Sequence, residues 1–397
     1  MNKIMIIGGG EWQKPITKKA KQMGCYVISS NLYENSPAFE YADECYVADV
    51  LDKQRNLEIA KKTMPDAIIT DQSDIAVPTV AYICEQIGLN GIGTKAANLF
   101  TNKYLMRDFC RKEGFVSVKY KLCDKVKEAE DFYLQNGKSI IKPIDSQSSR
   151  GVCIVNSVED IAGEFENTRA YSNSDSKVLI EEYIEGTEFT VDGIKTHNDY
   201  HVLAISEKEH YAHNHNIAKS LWFSHNNDKF DYDKLRKLNR DMVMKMNIPF
   251  GITHAEYKYM NGEFYLIEIA ARGGGTRISS DIVPIMSGVD HNKLLINMAL
   301  GNEVTVNPEF NDKRCAILKF MEFKAGKVKN ICGLDKVKNF HGVVDVVLDF
   351  KEGDEINPPS DDRSRPGFYI AYADDGDKLK KLCEDIETTL GVEYYEH

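Results

Sequence analysis

The 397-residue sequence contains no GxxxxGK[ST] loop and neither the HRD nor the DFG signature of protein kinases. If it uses a nucleotide, the phosphates must be held another way. It also lacks any CxxC pair. Its nine cysteines are scattered without regular spacing, which fits reduced thiols in a cytoplasm better than a disulfide framework. Cys84 and Cys153, set among apolar neighbours, are expected in the core. Long apolar runs are absent; residues 4–7 and 343–348 are only strand-length, so no membrane partner is expected. The N-terminus shows no basic segment followed by a cleavable apolar stretch, which again points to the cytoplasm. Positive charge is in deficit, with 50 Lys and Arg against 61 Asp and Glu. The net −11 argues against nucleic acid as a partner, so any phosphate site must be a local cationic cluster.

What is present is organised in segments, and the length exceeds one compact core, so two to three lobes are expected. Strands at 3–7, 25–29 and 67–70 alternate with helices at 13–23 and 74–86, the pattern of a parallel sheet covered on both faces. Gly8-Gly9-Gly10-Glu11-Trp12-Gln13 lacks the third glycine of GxGxxG, so a Rossmann-like half-domain without NAD is the reading. A helix over 98–113 leads into antiparallel texture at 139–191 and 252–269. The polar, His-rich stretch 210–227 between them reads as a mobile loop; the spacing of His210, His213 and His215 matches no strong metal motif. Strands near 314–323, 343–349 and 367–373 and a helix over 376–390 close the chain. The fold class is therefore α/β and α+β, divided at 1–95, 96–305 (with a small lobe at about 120–190) and 306–397.

Three blocks carry chemistry. In the first, Lys142 ends an apolar strand and is followed by Ser146-Gln-Ser148-Ser149-Arg-Gly151. A buried lysine needs an anionic partner, and a small hydroxyl-rich loop can bring backbone N–H groups to a phosphate; a surface lysine before a plain turn is the bland alternative. In the second, an apolar strand runs into Glu181, Glu182, Ile184 and Glu188. Glu181 could accept from an adenine amino group, Glu188 from ribose hydroxyls, and Ile184 could pack on the base; a solvated strand end is the alternative.

The third block holds His254, Glu256, Asn261-Gly262, Glu268, Ala270 and Arg272, then Gly273-Gly274-Gly275. Asn-Gly between alternating runs marks a hairpin. In a two-residue type I′ loop Met260 faces Glu263, and Glu268 points away from Glu256. A three-residue loop with negative φ at Asn261 and positive φ at Gly262 puts both carboxylates on one face, so a shared magnesium site requires that bulged loop. Arg272 alternates onto the face of Glu268, where it could neutralise charge on a transferred phosphoryl group. Arg277 could grip a substrate carboxylate; a helix-start surface arginine is nearly as good a reading.

Taken in this order, the blocks resemble the ATP-grasp superfamily over nearly the whole chain. The resemblance implies a pre-ATP-grasp domain, a two-lobed grasp whose small lobe is a lid, and a C-terminal lobe completing it. It matches Lys103 and Lys142 to the ATP-contacting lysines and Ser146, Ser148, Ser149 and Gly151 to the phosphate loop. Glu181, Glu182 and Ile184 match the adenine hinge, Glu188 the ribose contact, and Glu256 and Glu268 the magnesium ligands; manganese could replace magnesium. Ala270 and Ala271 stand where the family often has Asn and Pro, so a second ion would lose a ligand. The implied activity is ADP-forming ligation of a small carboxylate to an amine through an acylphosphate, with Lys142, Arg272 and Arg277 in catalytic roles. Bicarbonate activation and a non-catalytic nucleotide sensor are the alternatives. Many such enzymes are homodimers.

Overall fold

The computed structural model describes residues 1–146, 150–172 and 176–395, with Asn216 described in its backbone alone. Strands β1 (Lys3–Ile7), β2 (Tyr26–Asn31), β3 (Glu44–Val47) and β4 (Ala67–Ile69) pair in parallel in the order β3-β2-β1-β4. β1 leads to β2 through helix α1 (Lys14–Gln22), β2 to β3 through a 3-10 turn at Pro37–Tyr41 and β3 to β4 through α2 (Lys53–Thr63), and α3 (Val77–Ile87) follows β4. Parallel strands need such crossovers, and helices on both faces explain why β1 is buried almost along its length.

The helix expected over 98–113 is two helices, α4 (Thr94–Leu99) and α5 (Lys103–Glu113). Asn102 breaks them: its side chain accepts from Leu105 N at 3.1 Å, capping α5. That cap places Lys103 in the first turn of α5, where its backbone N–H donates to Ile144 O.

A four-stranded antiparallel sheet follows, made of β5 (Tyr120–Cys123), β6 (Ser139–Pro143), β7 (Cys153–Val155) and β8 (Val178–Glu182) in the order β5-β8-β6-β7. Helices α6 (Val126–Asn136) and α7 (Ile161–Arg169) cover it with a separate small core of Ala129, Phe132, Ile141, Phe165 and Ile180. Cys84 is buried as expected, whereas Cys153, on the edge strand β7, is only half-buried.

The remaining strands are β9 (Thr187–Lys195), β10 (Tyr200–Tyr211), β11 (Asn214–Ser224), β12 (Gly251–Met260), β13 (Glu263–Ala270), β14 (Cys315–Phe320), β15 (Gly326–Cys332), β16 (Val343–Leu348), β17 (Glu355–Ile356), β18 (Gly367–Ala373) and β19 (Gly391–Tyr394). Eight of them form one sheet in the order β13-β12-β9-β10-β11-β14-β18-β16. The His-rich stretch is therefore not a mobile loop. Residues 200–224 are a long hairpin at the centre of this sheet, with register shifts at Glu209–Tyr211. One face of the sheet buries Phe189, Val191, Ala255 and Tyr257 with α8 (Tyr232–Met246). Part of the other packs Leu221, Phe223, Leu318 and Ile370 into a core that also holds Ile16 and Ile69 of the N-terminal unit. Period-two alternation sends Glu256, between Ala255 and Tyr257, to that second face.

Candidate active site

The Asn261-Gly262 turn is not the bulged loop the shared site was expected to require. Both residues have positive φ, 52° and 85°, and Met260 pairs with Glu263, the two-residue type I′ arrangement. On that register Glu256 should face Ile267. It does not, because the extra residue sits further along: Tyr257 pairs with Leu266, but Glu256 pairs with Glu268. Ile267 is thus the added residue of a β-bulge inside β13. The two carboxylates stand directly opposite one another on one face, by a different device from the one predicted. The bulge also frees a carbonyl, and Ile267 O accepts from Arg107 Nη2 at 2.6 Å.

Each carboxylate is held by a lysine. Lys103 Nζ reaches Glu268 Oε1 at 2.8 Å and Ser146 O at 2.8 Å. Lys208 Nζ bridges Glu256 Oε1 at 2.9 Å and Glu188 Oε1 at 2.5 Å. His210 Nε2 lies 3.2 Å from the other Glu188 oxygen. Lys208 is not among the residues singled out in the sequence, and His210 is read there as part of a loop; the available signal is their two-residue spacing on a strand. Burial alone would raise the Glu188 carboxyl, but Lys208 and His210 hold it well below the usual range. Burial likewise opposes the charge on Lys208, and Glu188 and Glu256 outweigh it, raising its pKa.

Lys142 and Glu181 meet differently from the expectation. Glu181 Oε2 accepts from Lys142 Nζ at 2.6 Å and Oε1 from Arg107 Nε at 2.7 Å, with all three side chains buried. Each carboxylate oxygen of Glu181 thus carries a cation. Glu182 turns its carboxylate to Lys119 N at 2.8 Å, and Ile184 is buried. Burial would raise Glu181, yet two cations bring it below its ordinary value of 4.5. At Lys142 burial prevails over the single anion and lowers the pKa. The sign follows for stability. A carboxyl depressed on folding contributes its full share above the unfolded value and loses it as pH falls through the folded one. Urea midpoints are therefore expected to drop as pH falls below 4.5, and to drop less in Glu181→Gln; an unchanged pH dependence in that variant would contradict the pairing.

Arg272 is bound side-on by Asp74, with Nε–Oδ1 at 2.9 Å and Nη2–Oδ2 at 2.7 Å, a bidentate pair joining β13's continuation to the N-terminal unit. Asp74, 198 residues away in sequence, was not singled out beforehand. Next to it Asp71 accepts from Gly273 N at 2.9 Å and Ser279 Oγ at 2.9 Å. Arg277 is indeed at a helix start, with φ 64°. Its guanidinium is taken by Asp281 at 2.7 Å and by Asp345, which fix its orientation. Ser146 Oγ donates to Arg150 O at 3.0 Å, and Gly151 has φ 69°; Ser148 and Ser149 lie outside the described residues.

Backbone approach explains the glycine run. A Cβ on Gly273 would lie 2.2 Å from Ser279 Oγ and 2.6 Å from Asp71 Oδ1, and one on Gly274 2.9 Å from His254 Nδ1. Gly273→Ala is expected to cost about 1–3 kcal/mol in urea unfolding and to lower activity by displacing Arg272. Gly275→Ala, which meets nothing within 4 Å, is the control.

Residues 136–281 match the family model of the ATP-grasp domain, and residues 319–395 that of the L-amino acid ligase C-terminal domain 2. A formate-dependent phosphoribosylglycinamide formyltransferase of Methanocaldococcus jannaschii is 30% identical, aligned over 98% of this chain and 97% of that protein. The chain belongs to the ATP-grasp ligases. An L-amino acid ligase from Bacillus licheniformis shares the fold at TM-score 0.83 and 19% identity, over 100% of this chain and 99% of that one. So does a phosphoribosylglycinamide synthetase from Anaerococcus prevotii, at TM-score 0.78 and 20% identity, over 99% of this chain and 100% of that one.

This ATP-grasp ligase is an ADP-forming enzyme that activates a carboxylate as an acylphosphate and couples it to an amine. Enzymes of the family use ATP with magnesium. The hairpin fits such an ion: two facing carboxylates, with side chains 29% and 27% exposed, supply the one or two protein ligands magnesium takes beside phosphate oxygens. No group of three or more His, Cys, Asp or Glu able to hold a metal occurs among the described residues, so substrate oxygens would complete the shell. Ala270, buried and opposite His254, adds no donor. No described helix is long and apolar enough to cross a membrane.

Proposed function

We propose that this ligase joins a small carboxylic acid to the amino group of a free amino acid, at a site where Glu256 and Glu268 hold magnesium against the ATP phosphates. The observation that carries this reading is the charge beyond the hairpin. Arg272 and Arg277 are met by Asp74, Asp281 and Asp345. Three carboxylates against two arginines leave this surround net acidic, which favours the ammonium group of an amino acid over the phosphate of a phosphoribosylated amine. The L-amino acid ligase C-terminal domain, which contains Asp345, agrees with it.

The substrate carboxylate oxygen attacks the γ-phosphorus and ADP leaves; the amine nitrogen then attacks the acyl carbon, phosphate departs, and the amine proton passes to solvent. Lys103, Lys142 and Lys208 line the path with positive charge, and Arg272, on leaving Asp74, would hold the acylphosphate oxygens. Glu256 and Glu268 would hold magnesium, which when bound would offset the triphosphate charge.

The test is ADP release with magnesium and ATP across pairs of carboxylates and amines. Release that needs an amino acid together with a carboxylic acid is expected. Release with formate and phosphoribosylglycinamide, or with bicarbonate alone, would overturn the assignment.

A further inference from the structure

A cavity of about 670 Å³ lies away from the carboxylate hairpin, lined by Tyr104, Arg111 and Phe115 and by the continuous run from Ser117 to Leu122. Tyr104 and Arg111 flank the stripe of α5 that buries Lys103, Met106, Arg107 and Cys110. The far wall is β5, which ends the lid sheet; no described strand lies beyond it.

The ladder shows which backbone groups β5 leaves open. Glu182 N donates to Lys119 O at 3.0 Å, so Lys119 is bonded across to Glu182 and Lys121 to Ile180. Antiparallel pairing alternates. The N–H and C=O of Tyr120 and Leu122 therefore point to the open side, into the cavity. Unpaired strand edges of this sort accept another strand.

Charge selects the occupant. Lys119 and Lys121 are exposed and make no ion pair among the described residues, and Arg111, held at 2.6 Å by Asp108 on its own helix, stands on the opposite wall. A second copy pairing antiparallel through β5 would set these lysines against their own images, which is destabilising. We propose that the β5 edge is a docking site for an extended acidic peptide segment of another protein, which adds a fifth strand to the lid sheet and places its carboxylates on Lys119, Lys121 and Arg111.

The probe is a fluorescein-labelled octapeptide of alternating Glu and Val, titrated into the full chain by anisotropy, against its Lys-Val counterpart. Saturable binding of the acidic peptide alone is expected, weakened about ten-fold or more in Lys119→Glu/Lys121→Glu. In the unaltered protein the Tyr120 and Leu122 amides should exchange more slowly with peptide bound, a readout that needs no variant. Absence of binding, equal binding of both peptides, unchanged exchange at those two amides, or concentration-dependent dimerisation through β5 without peptide binding would each overturn the proposal.

Discussion

Glu268→Gln is expected to reduce kcat for ADP formation by on the order of 10²–10³-fold, the scale of losing one group that stabilises transition-state charge. The substitution keeps the shape and the bulge at Ile267 but removes a negative charge from the pair facing Glu256. It also strips Lys103 of its one carboxylate partner among the described residues, a contact of 2.8 Å. If the carboxylates act together on magnesium, Glu256→Gln should fall on the same scale, and the double variant should lose little more than either single one. The apparent magnesium requirement should rise in each. Glu263→Gln, at the turn of the same hairpin and paired with Lys234, is expected to keep full activity. Glu268→Gln with less than a two- to three-fold loss, or with a loss matched by Glu263→Gln, would leave Glu268 as an ordinary ion pair with Lys103.

Arg107→Ala is expected to give the largest stability loss, about 3–5 kcal/mol in urea unfolding, because it leaves a buried carboxylate with one partner fewer. Arg107 is 1% exposed and Glu181 1%, so water cannot replace the lost contact at little cost. The substitution also deprives Ile267 O of its donor, and with it the bulge that aligns Glu268 with Glu256. Activity should therefore fall further than stability alone explains, under conditions where the variant remains folded. A loss under 1 kcal/mol would show that the cluster relaxes around the gap. Glu181→Gln in the same background should cost much less than it does alone, since the two changes remove one interaction.

Local signals brought much of this within reach of the sequence, and distance set the limit. The parallel unit follows from strand–helix alternation, and the order of Lys142, Glu181, Glu256 and Glu268 along the chain marks the family. The Asn-Gly turn was legible as a hairpin, but its type was not: both residues tolerate positive φ, so either loop was open. The bulge left no mark, since Ile267 looks like any strand residue. Residues 210–227 read as loop because polar and histidine residues crowd the tip of the hairpin and hide the core-facing Ile217, Leu221 and Phe223 that follow. The pairing of Glu181 with Arg107, 74 positions away, has no local mark in the sequence. The same holds for Asp74 and Arg272. Pairings made by tertiary packing have no period and no spacing to betray them.

The most direct measurement is anomalous diffraction at the manganese edge from crystals grown with manganese and ADP. A peak within coordination distance of both the Glu256 and Glu268 carboxylates, on the face opposite Tyr257, is the expected result. Well-ordered ADP with no manganese at those two residues, or with manganese bound to other side chains, would contradict the account.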